Sequence, residues 1–220
     1  MIITIDGPAG SGKSTAARKL AAALEIPYLD TGAMYRAVAL KALNTQTPTD
    51  DPDGLAALAR ATRIELDCGP TQVRVVMDGH DVSEAIRSMR VNERTSEIAQ
   101  VAGVREVLID KQREIGRALG SLVSEGRDQG SVVFPRADVK FFVNATDAKR
   151  ADRRHQEMVA DGAEVRYEDV LANVRRRDTN DRHQWAPLLA AEGTVQIDTT
   201  DLTIGQVVDQ MLENIRRRTR

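Results

Sequence analysis

The sequence has few aromatic residues and no long apolar run. Phe, Trp and Tyr make up 3% of its 220 residues, so aliphatic side chains must fill most of any core. The longest uninterrupted apolar run covers only residues 20–24, whereas a membrane-spanning helix needs roughly 20 residues. The first residues also lack the basic flank and apolar stretch of a secretory signal. We therefore expect a cytoplasmic protein that does not contact a membrane.

Cysteine and histidine are also scarce. Cys68 is the only cysteine, which excludes an intrachain disulfide and a zinc site built from several cysteines. The three histidines are His80, His155 and His183, and they form no H-E-x-x-H pair. None of these patterns indicates a resident transition metal.

The charge is nearly balanced, because 31 basic and 33 acidic residues give a net charge of −2. This balance argues against a general binder of nucleic acid or other polyanions. The basic residues are nevertheless unusual, since 25 are Arg and 6 are Lys. A planar guanidinium binds phosphate in a bidentate way that an ammonium does not. The alternative is a codon bias toward arginine, which only the positions of the arginines can test.

Strand and helix patterns alternate along the chain, whose length suits one lobed domain or two small ones. Short β-branched or apolar runs predict five strands, at residues 2–6, 28–30, 121–124, 139–143 and 194–197. Between and after them, apolar spacing predicts helices at 13–24, 33–43, 93–119, 148–160, 167–177 and, with an apolar stripe over 204–215, at the end of the chain. This order predicts a three-layer α/β domain around a parallel sheet. Ligands of such sheets bind beyond the carboxyl ends of the strands.

One segment breaks the alternation. Residues 63–82 alternate with the period of a strand around two turn signals, at residues 69–70 and 78–79. We predict a small antiparallel sheet inserted into the α/β core. It is either a surface hairpin or a lobe on the substrate side.

The strongest motif lies between the first strand and the first helix. Residues 7–14 read GPAGSGKS and fit G-x-x-x-x-G-K-[ST]. Glycines allow successive N–H groups to point inward, and the helix N-terminus adds positive charge, so the loop can bind phosphates. Lys13 is expected to reach the β- and γ-phosphates. The Ser14 hydroxyl is expected to help hold Mg²⁺, a role that the neighbouring Thr15 could share. The predicted ATP-binding residues are Gly7, Pro8, Ala9, Gly10, Ser11, Gly12, Lys13, Ser14 and Thr15.

A phosphate-binding loop alone does not separate a kinase from a GTPase switch or a mechanical ATPase. The guanine-specific N-K-x-D is absent. Residues 51–54 match D-x-x-G, but they lie in a polar loop and not at the end of an apolar strand. We interpret them as a turn and a helix start.

Several arginines occur at the ends of predicted elements, where a second anion could bind. Arg36 follows the second strand and Arg127 follows the third. Arg150, Arg153 and Arg154 share one helical face, which suits a lid over ATP or, alternatively, a solvated charged surface. Cationic groups around a transferred phosphoryl group are what a kinase with a phosphorylated acceptor requires.

The other candidates are weaker. Asp128 could accept a hydrogen bond from an exocyclic amine or a ribose hydroxyl, with a surface ion pair as the alternative. Of the three consecutive arginines at 175–177, at most two can serve one site, because they point in different directions around a helix. The arginines at 216–218 and 220 are interpreted as a solvated terminus without assigned function.

Five stretches of the sequence together carry a resemblance to a known family. They are IDGPAGSGKST at 5–15, LDTGAMYR at 29–36, DGHDVS at 78–83 with Ile86-Arg87, VRE at 104–106 and EGRDQGSVVFP at 125–135. With these stretches the sequence resembles the bacterial cytidylate kinases, which belong to the nucleoside monophosphate kinases. The resemblance covers nearly the whole chain, from Ile3 to Ile215. The first stretch is shared by many P-loop kinases, and the others are more specific.

The resemblance implies transfer of the ATP γ-phosphate to CMP or dCMP with Mg²⁺. It also implies a P-loop kinase fold with a five-stranded parallel sheet, an antiparallel β insert that binds the nucleoside monophosphate, and a short lid. The implied parts are a core of residues 1–36, 94–150 and 167–220, the insert at about 37–93 and the lid at about 151–166. We expect a monomer whose partners are small nucleotides, with no nucleic acid.

The resemblance also implies roles for individual residues. The monophosphate would be held by Arg36 and Arg127, and cytosine would be read by Ser96, Arg105 and Asp128. The acceptor-binding set as a whole is Thr31, Tyr35, Arg36, Ser96, Arg105, Arg127, Asp128, Arg177 and Asp181. The implied catalytic set is Lys13, Arg127 and the lid arginines Arg150, Arg153 and Arg154.

The sequence departs from the family pattern near residue 184. Relatives commonly carry a base-reading Arg three residues after the aspartate that corresponds to Asp181, but position 184 is Gln and the spacing to Pro187-Leu188 is one residue shorter. Either Arg182 substitutes from a shifted backbone, or Gln184 itself hydrogen-bonds the base. We expect UMP to be accepted more readily than in the family pattern. Gly-Ser at 130–131 replaces the family's Gly-Thr and keeps a hydroxyl.

Three functional hypotheses follow. The leading one is a kinase of CMP and dCMP. The second is a kinase of another acceptor, such as UMP, AMP or a small alcohol. The third is a non-catalytic nucleotide-dependent switch, which would have no need for so many arginines outside the phosphate-binding loop.

Overall fold

The structure is a computed structural model that describes residues 1–160 and 162–218. In these residues the strands are β1 Ile2–Asp6, β2 Tyr28–Asp30, β3 Ile64–Cys68, β4 Val73–Met77, β5 His80–Asp81, β6 Leu122–Gly126, β7 Val139–Asn144 and β8 Thr194–Asp198. The α-helices are α1 Lys13–Leu24, α2 Thr31–Asn44, α3 Pro52–Ala61, α4 Met89–Ile98, α5 Ala102–Leu119, α6 Asp147–Ala160, α7 Tyr167–Ala190 and α8 Ile204–Arg218.

The central sheet has five parallel strands in the order β2, β6, β1, β7, β8. Its central strands are buried on both faces, which is why they read as continuous apolar runs. On one face, Ile3 and Phe141 pack with α1 and α8. On the other, Leu29 and Leu122 pack against residues of α5. The predicted α/β architecture with a five-stranded parallel sheet is confirmed.

The predicted antiparallel insert is also confirmed, as a three-stranded sheet in the order β3, β4, β5. Asp78 and Gly79 connect β4 to β5 with φ of 51° and 84°. Two positive φ angles in a two-residue turn match the twist of a hairpin. Val75 and Met77 of β4 belong to the same apolar cluster as α2 and α5, so this sheet packs onto the core.

Two helix predictions are wrong in extent. The single helix at 93–119 is two helices, α4 and α5, because Val101 is extended with ψ of 112°. The helix at 167–177 continues to Ala190, because Val174, Trp185 and Leu188 extend its buried stripe beyond the polar residues. Pro187 lies in its last turn.

Other boundaries differ by one or two residues. Strand β6 continues to Gly126 instead of ending at 124, so Glu125 belongs to the sheet. Asp30 accepts a hydrogen bond from the Ala33 N–H at 3.0 Å and thereby starts α2 two residues early. Asp51 caps α3 in the same way through Gly54, as expected for a turn and helix start.

Helix α7 contacts the sheet through its tryptophan. The rings of Trp185 and Phe142 lie 6.4 Å apart between centroids, and Leu188 completes this small apolar cluster. Within the two described ranges, no helix combines the length and the apolar character needed to cross a membrane.

Candidate active site

The phosphate-binding loop connects β1 to α1 at the carboxyl edge of the sheet. Gly7, Gly10 and Gly12 have φ of 151°, 75° and 85°, which side chains rarely adopt. A Cβ on Gly7 would lie 2.0 Å from the Val143 carbonyl oxygen. The loop therefore requires glycine both for its conformation and for its contact with β7.

Lys13 is the first residue of α1 and is 7% exposed. Its Nζ donates to the Pro8 carbonyl at 3.3 Å and lies 3.9 Å from the Glu125 carboxylate. Burial, followed by the nearby charge of Arg127, lowers the pKa of Lys13 to about 7. An anion bound beside this ammonium would stabilise its charged form.

A cleft of about 1100 Å³ extends from this loop between α4, α6 and α7. The predicted residues that line it are Ala9, Gly10, Gly12, Lys13, Ser14, Thr15, Arg36, Ser96, Arg127, Arg154 and Arg177. The fold thus brings predicted residues from six separate segments of the sequence to one cavity. Gly7, Pro8 and Ser11 belong to the loop but not to the cavity wall.

Arg36 and Arg177 each leave a buried nitrogen without a partner. Among the residues that the structure describes, neither Nε has a hydrogen-bond partner, although Arg36 pairs through its terminal nitrogen with Asp30 at 2.7 Å. Burial, followed by the charge of Arg127, lowers the pKa of Arg177 to about 10. Buried polar groups normally find partners. Both residues line the cleft, and an anion bound there would add charge-assisted hydrogen bonds to their guanidinium groups.

In the described part of the chain, the other predicted acceptor residues do not line the cavity. The Arg105 guanidinium pairs with the buried Asp128 carboxylate. Arg127 Nε donates to Asp181 at 3.2 Å. Tyr35 is 9% exposed, and burial raises its pKa above the ordinary value. Thr31 donates its hydroxyl hydrogen to the Glu125 carbonyl at 2.7 Å. Its hydroxyl hydrogen is thus already used by the protein.

The three arginines of α6 do not face the cleft together, contrary to expectation. Arg154 lines the cleft, but Arg150 is 2% exposed and lies beneath the phosphate-binding loop. Arg150 donates to the Ala9 carbonyl at 3.2 Å and forms an ion pair with Asp178 of α7. Its guanidinium is therefore occupied by protein groups.

Arg153 has a similar structural environment. It donates to the Thr199 carbonyl at 2.7 Å and to the Gly10 carbonyl at 3.4 Å. Helical spacing correctly places the three arginines side by side. Two of them, Arg150 and Arg153, donate to main-chain carbonyls in the loops that follow β1 and β8. Arg153 thus connects α6 to the loop that follows β8.

Neither residue proposed to replace the family's base-reading arginine lies in the cleft wall. Arg182 is exposed on α7. Gln184 is 6% exposed and stands beside Trp185. Of the three consecutive arginines, Arg176 and Arg177 line the cleft, whereas Arg175 pairs with Asp147 at 3.5 Å. This agrees with the expectation that at most two of them share one site.

Two buried carboxylates beside the cleft were missed as site residues. Glu125, at the end of β6, faces Lys13 and accepts the Tyr28 hydroxyl hydrogen at 3.1 Å. Its position at a strand end was the available signal. Asp6, at the end of β1, is fully buried. It precedes the glycine motif directly, and no pattern rule singles it out.

Comparison with known proteins supplies the remaining observation. The chain matches the family profile described as Cytidylate kinase over residues 3–217. It belongs to the cytidylate kinase family. A cytidylate kinase of Caldanaerobacter subterraneus subsp. tengcongensis is 45% identical over 219 residues, which are 99% of this chain and 96% of that protein. One of Salinibacter ruber is also 45% identical, over 98% of this chain and 97% of that protein. The protein is thus a kinase, a phosphotransferase.

Membership of the cytidylate kinase family agrees with the fold. The shikimate kinase of Bacteroides thetaiotaomicron superposes with a TM-score of 0.53 at 14% identity, over 98% of each chain. This likeness concerns the fold alone, and it confirms the predicted P-loop kinase architecture. The expected resemblance to the cytidylate kinases is confirmed as well.

Proposed function

We propose that the protein transfers the γ-phosphoryl group of ATP directly to CMP or dCMP in a Mg²⁺-dependent reaction of pyrimidine nucleotide metabolism. One observation carries the proposal: a single cleft is lined both by the phosphate-binding loop and by Arg36, Arg127 and Arg177. Family membership supports the choice of a cytidine nucleotide as acceptor.

The donor phosphates fit the loop between β1 and α1. Its backbone N–H groups and the N-terminus of α1 offer positive charge to the phosphates. Lys13 is buried there, and burial lowers its pKa. The negative β- and γ-phosphates would raise that pKa again and keep the ammonium protonated. Arg154, which lines the same cleft, would approach the transferred group.

The oxygen atoms near Lys13 fit Mg²⁺, which prefers carboxylate, hydroxyl and phosphate oxygens and usually keeps several waters. Ser14 is half-buried in the cleft wall, and Glu125 and Asp30 are close enough to affect Lys13 electrostatically. The Ser14 hydroxyl would hold the ion, with these carboxylates bonding to its waters. When bound, Mg²⁺ would neutralise charge that develops on the phosphates.

The acceptor phosphate fits between Arg36, Arg127 and Arg177. A phosphate monoester loses its second proton near pH 6, so the acceptor needs no strong general base at neutral pH. The arginines would hold its oxygen in line with the γ-phosphorus and stabilise the transition state. Ser96, Arg105 and Asp128 would read cytosine, and Thr31, Tyr35 and Asp181 would support the acceptor nucleotide.

We further propose a division of the chain into functional parts. The core comprises residues 1–36, 94–150 and 167–220, and the insert at about 37–93 closes over the acceptor. A lid at about 151–166 would exclude water from the donor. The lid contains Asp161, which is outside the described residues. We retain the expectation of a cytoplasmic monomer without nucleic acid or membrane partners.

The decisive experiment is an assay of ADP release with CMP, dCMP, UMP and AMP side by side at fixed Mg-ATP. The proposal requires CMP and dCMP to accelerate ADP release well above the rate without acceptor. Selective acceleration by UMP or AMP would favour the second hypothesis. Slow hydrolysis that no acceptor accelerates would indicate a switch.

A matched pair of variants tests the donor site. Lys13→Ala should reduce turnover by roughly 100- to 1000-fold, because it removes a preorganised cation. Lys19→Ala removes an exposed lysine from the same helix and should retain turnover. Equal turnover of Lys13→Ala and the unmodified protein would remove Lys13 from the mechanism.

A further inference from the structure

Asp6 connects the two halves of the cleft from a fully buried position. It is the last residue of β1, and its main chain continues directly into Gly7 of the phosphate-binding loop. Its side chain points toward a different segment. Oδ1 accepts a hydrogen bond from the Gln129 N–H at 2.8 Å, and Oδ2 accepts one from the Gly130 N–H at 2.8 Å.

The two amides belong to the loop that carries the proposed acceptor residues. Gln129 and Gly130 begin a π-helical turn, Gln129–Val133, immediately after Arg127 and Asp128. The first N–H groups of a helical turn have no partner within the turn. Because Gln129 and Gly130 are buried, these donors would be left unsatisfied without Asp6.

The rest of the turn is held by a separate buried network. The side-chain Nε2 of Gln129 donates to Oε1 of Gln112 at 3.1 Å. The side-chain Oε1 of Gln129 accepts the Ser124 hydroxyl hydrogen at 2.8 Å. The neighbours Arg127 and Asp128 point the other way, toward Asp181 and Arg105. Asp6 thus binds the main chain of Gln129 and Gly130. These two residues lie between the buried part of the turn and the Arg127–Asp128 segment, which faces the proposed acceptor site.

We propose that Asp6 is a positioning residue that fixes the Arg127–Asp128 segment relative to the phosphate-binding loop. A phosphoryl transfer requires the reacting atoms at about 3–3.5 Å, and a displacement of 1 Å can reduce the rate about 100-fold. Asp6 is joined through its main chain to the phosphate-binding loop, and its carboxylate binds the loop that carries Arg127 and Asp128. It therefore sets the distance between the two loops directly. Asp6 itself touches no substrate in this scheme.

The kinetic test compares Asp6→Asn with Ile3→Val, both in β1. The asparagine has the same shape but can accept only through one oxygen, so one amide faces an NH₂ group. Ile3→Val destabilises the same buried strand without contacting the acceptor loop. Assays at pH 8 keep Asp6 largely ionised, since burial raises its pKa to about 7.

We expect Asp6→Asn to raise the KM for CMP at least 10-fold and lower kcat 10- to 100-fold, with the KM for ATP changed less than twofold. Ile3→Val should lower Tm and leave both KM values within twofold. Equal changes in the two KM values for Asp6→Asn, or the same kinetic pattern in Ile3→Val, would overturn the proposal.

A second measurement needs no variant and no turnover. In the unmodified protein, NMR hydrogen exchange should find the Gln129 and Gly130 amides strongly protected before any nucleotide is added, and CMP should slow them less than tenfold further. Rapid exchange of both amides without CMP would contradict the proposal.

This inference rests on the proposed function, but the two can fail separately. If CMP does not accelerate ADP release by the unmodified protein, the proposed acceptor is wrong. The exchange experiment would still decide whether Asp6 holds the loop.

Discussion

Lys13 is a buried lysine whose ionisation the surroundings oppose. Its pKa lies near 7 in the folded protein because of burial and the charge of Arg127, and near 10.4 in an unfolded chain. Between pH 7 and 10 the unfolded state therefore binds more protons at this residue than the folded state does. Stability from this site is therefore fully present above about pH 10, falls as the pH is lowered through that window, and is fully lost once the pH is below about 7.

This linkage predicts a pH-dependent difference between the unmodified protein and Lys13→Met. Between pH 7 and 10, the free energy of unfolding of the unmodified protein should increase relative to that of the variant, by at most about 1.4 kcal/mol per pH unit. Urea unfolding at four pH values measures the difference. Lys19→Met should follow the unmodified protein, and a Lys13→Met curve parallel to it would refute the assigned pKa.

Asp128 is predicted to affect the acceptor and not the donor. The carboxylate is 4% exposed and paired with Arg105. Replacement by Ala removes a charged hydrogen-bond partner, worth about 1.5–3 kcal/mol. We expect the KM for CMP to rise roughly 10- to 150-fold, with the KM for ATP nearly unchanged in steady-state kinetics.

Asp138→Ala is the matched control for that measurement. Asp138 also accepts a hydrogen bond, from the Ile2 N–H at 2.6 Å, but at the opposite edge of the sheet. It should leave both KM values unchanged. If Asp128→Ala raised the KM values for CMP and ATP equally, Asp128 would have no specific role in acceptor recognition.

At the scale of elements, one face of α6 combines two kinds of arginine. Arg150 is buried between the phosphate-binding loop and Asp178, whereas the Arg154 side chain is 42% exposed and pairs with Glu157. Removing one partner of a buried ion pair costs about 3–5 kcal/mol, whereas an exposed pair contributes about 1 kcal/mol or less.

The contrast predicts opposite phenotypes for two substitutions on neighbouring turns. Arg150→Met should lower Tm by roughly 6–20 °C. Arg154→Met should leave Tm nearly unchanged but reduce kcat. Thermal unfolding followed by circular dichroism, with turnover on the same samples, separates them. A stable Arg150→Met variant would contradict its role as an anchor between α6 and α7.

The elements whose residues interact locally were predictable from sequence. The strands, the antiparallel insert and the stripe of α8 follow from periodicity that a short window contains. The break between α4 and α5 was not predictable, because Val101 is neither glycine nor proline. The continuation of α7 depends on Phe142 and the sheet beneath Trp185, which lie far away in sequence.

The site divides in the same way. The glycine motif and Lys13 are contiguous, and their placement follows from the strand, loop and helix around them. Asp6 and Gln129 are separated by 123 residues, so their hydrogen bond appears only in the fold. Helical spacing predicted that Arg150 and Arg154 share a face, but not which neighbours each would meet.

For the whole molecule, the concentration of cations around one cleft predicts stabilisation by anions. The charge of Arg127 lowers the pKa of both Lys13 and Arg177, and bound phosphates would relieve that repulsion. At 100 times its Kd, a nucleotide adds about 2.7 kcal/mol, which corresponds to a Tm increase of roughly 5–11 °C.

Scanning calorimetry with ATP, CMP, sulfate and chloride tests this effect. Each nucleotide should raise Tm. Sulfate should raise Tm more than chloride does at equal ionic strength, because sulfate binds guanidinium groups and is also excluded from the rest of the surface, whereas chloride mainly screens charge. Equal effects of sulfate and chloride would mean that the arginines form no anion site.

The sole tryptophan of the chain also has a practical consequence. Trp185 lies on the same helix as Arg177 and Asp181, and it is 7% exposed against Phe142. All indole emission from the native polypeptide therefore originates at one place, between the sheet and the helix that carries Arg177. The fluorescence of Trp185 therefore reports the packing of α7 against the sheet without any added label.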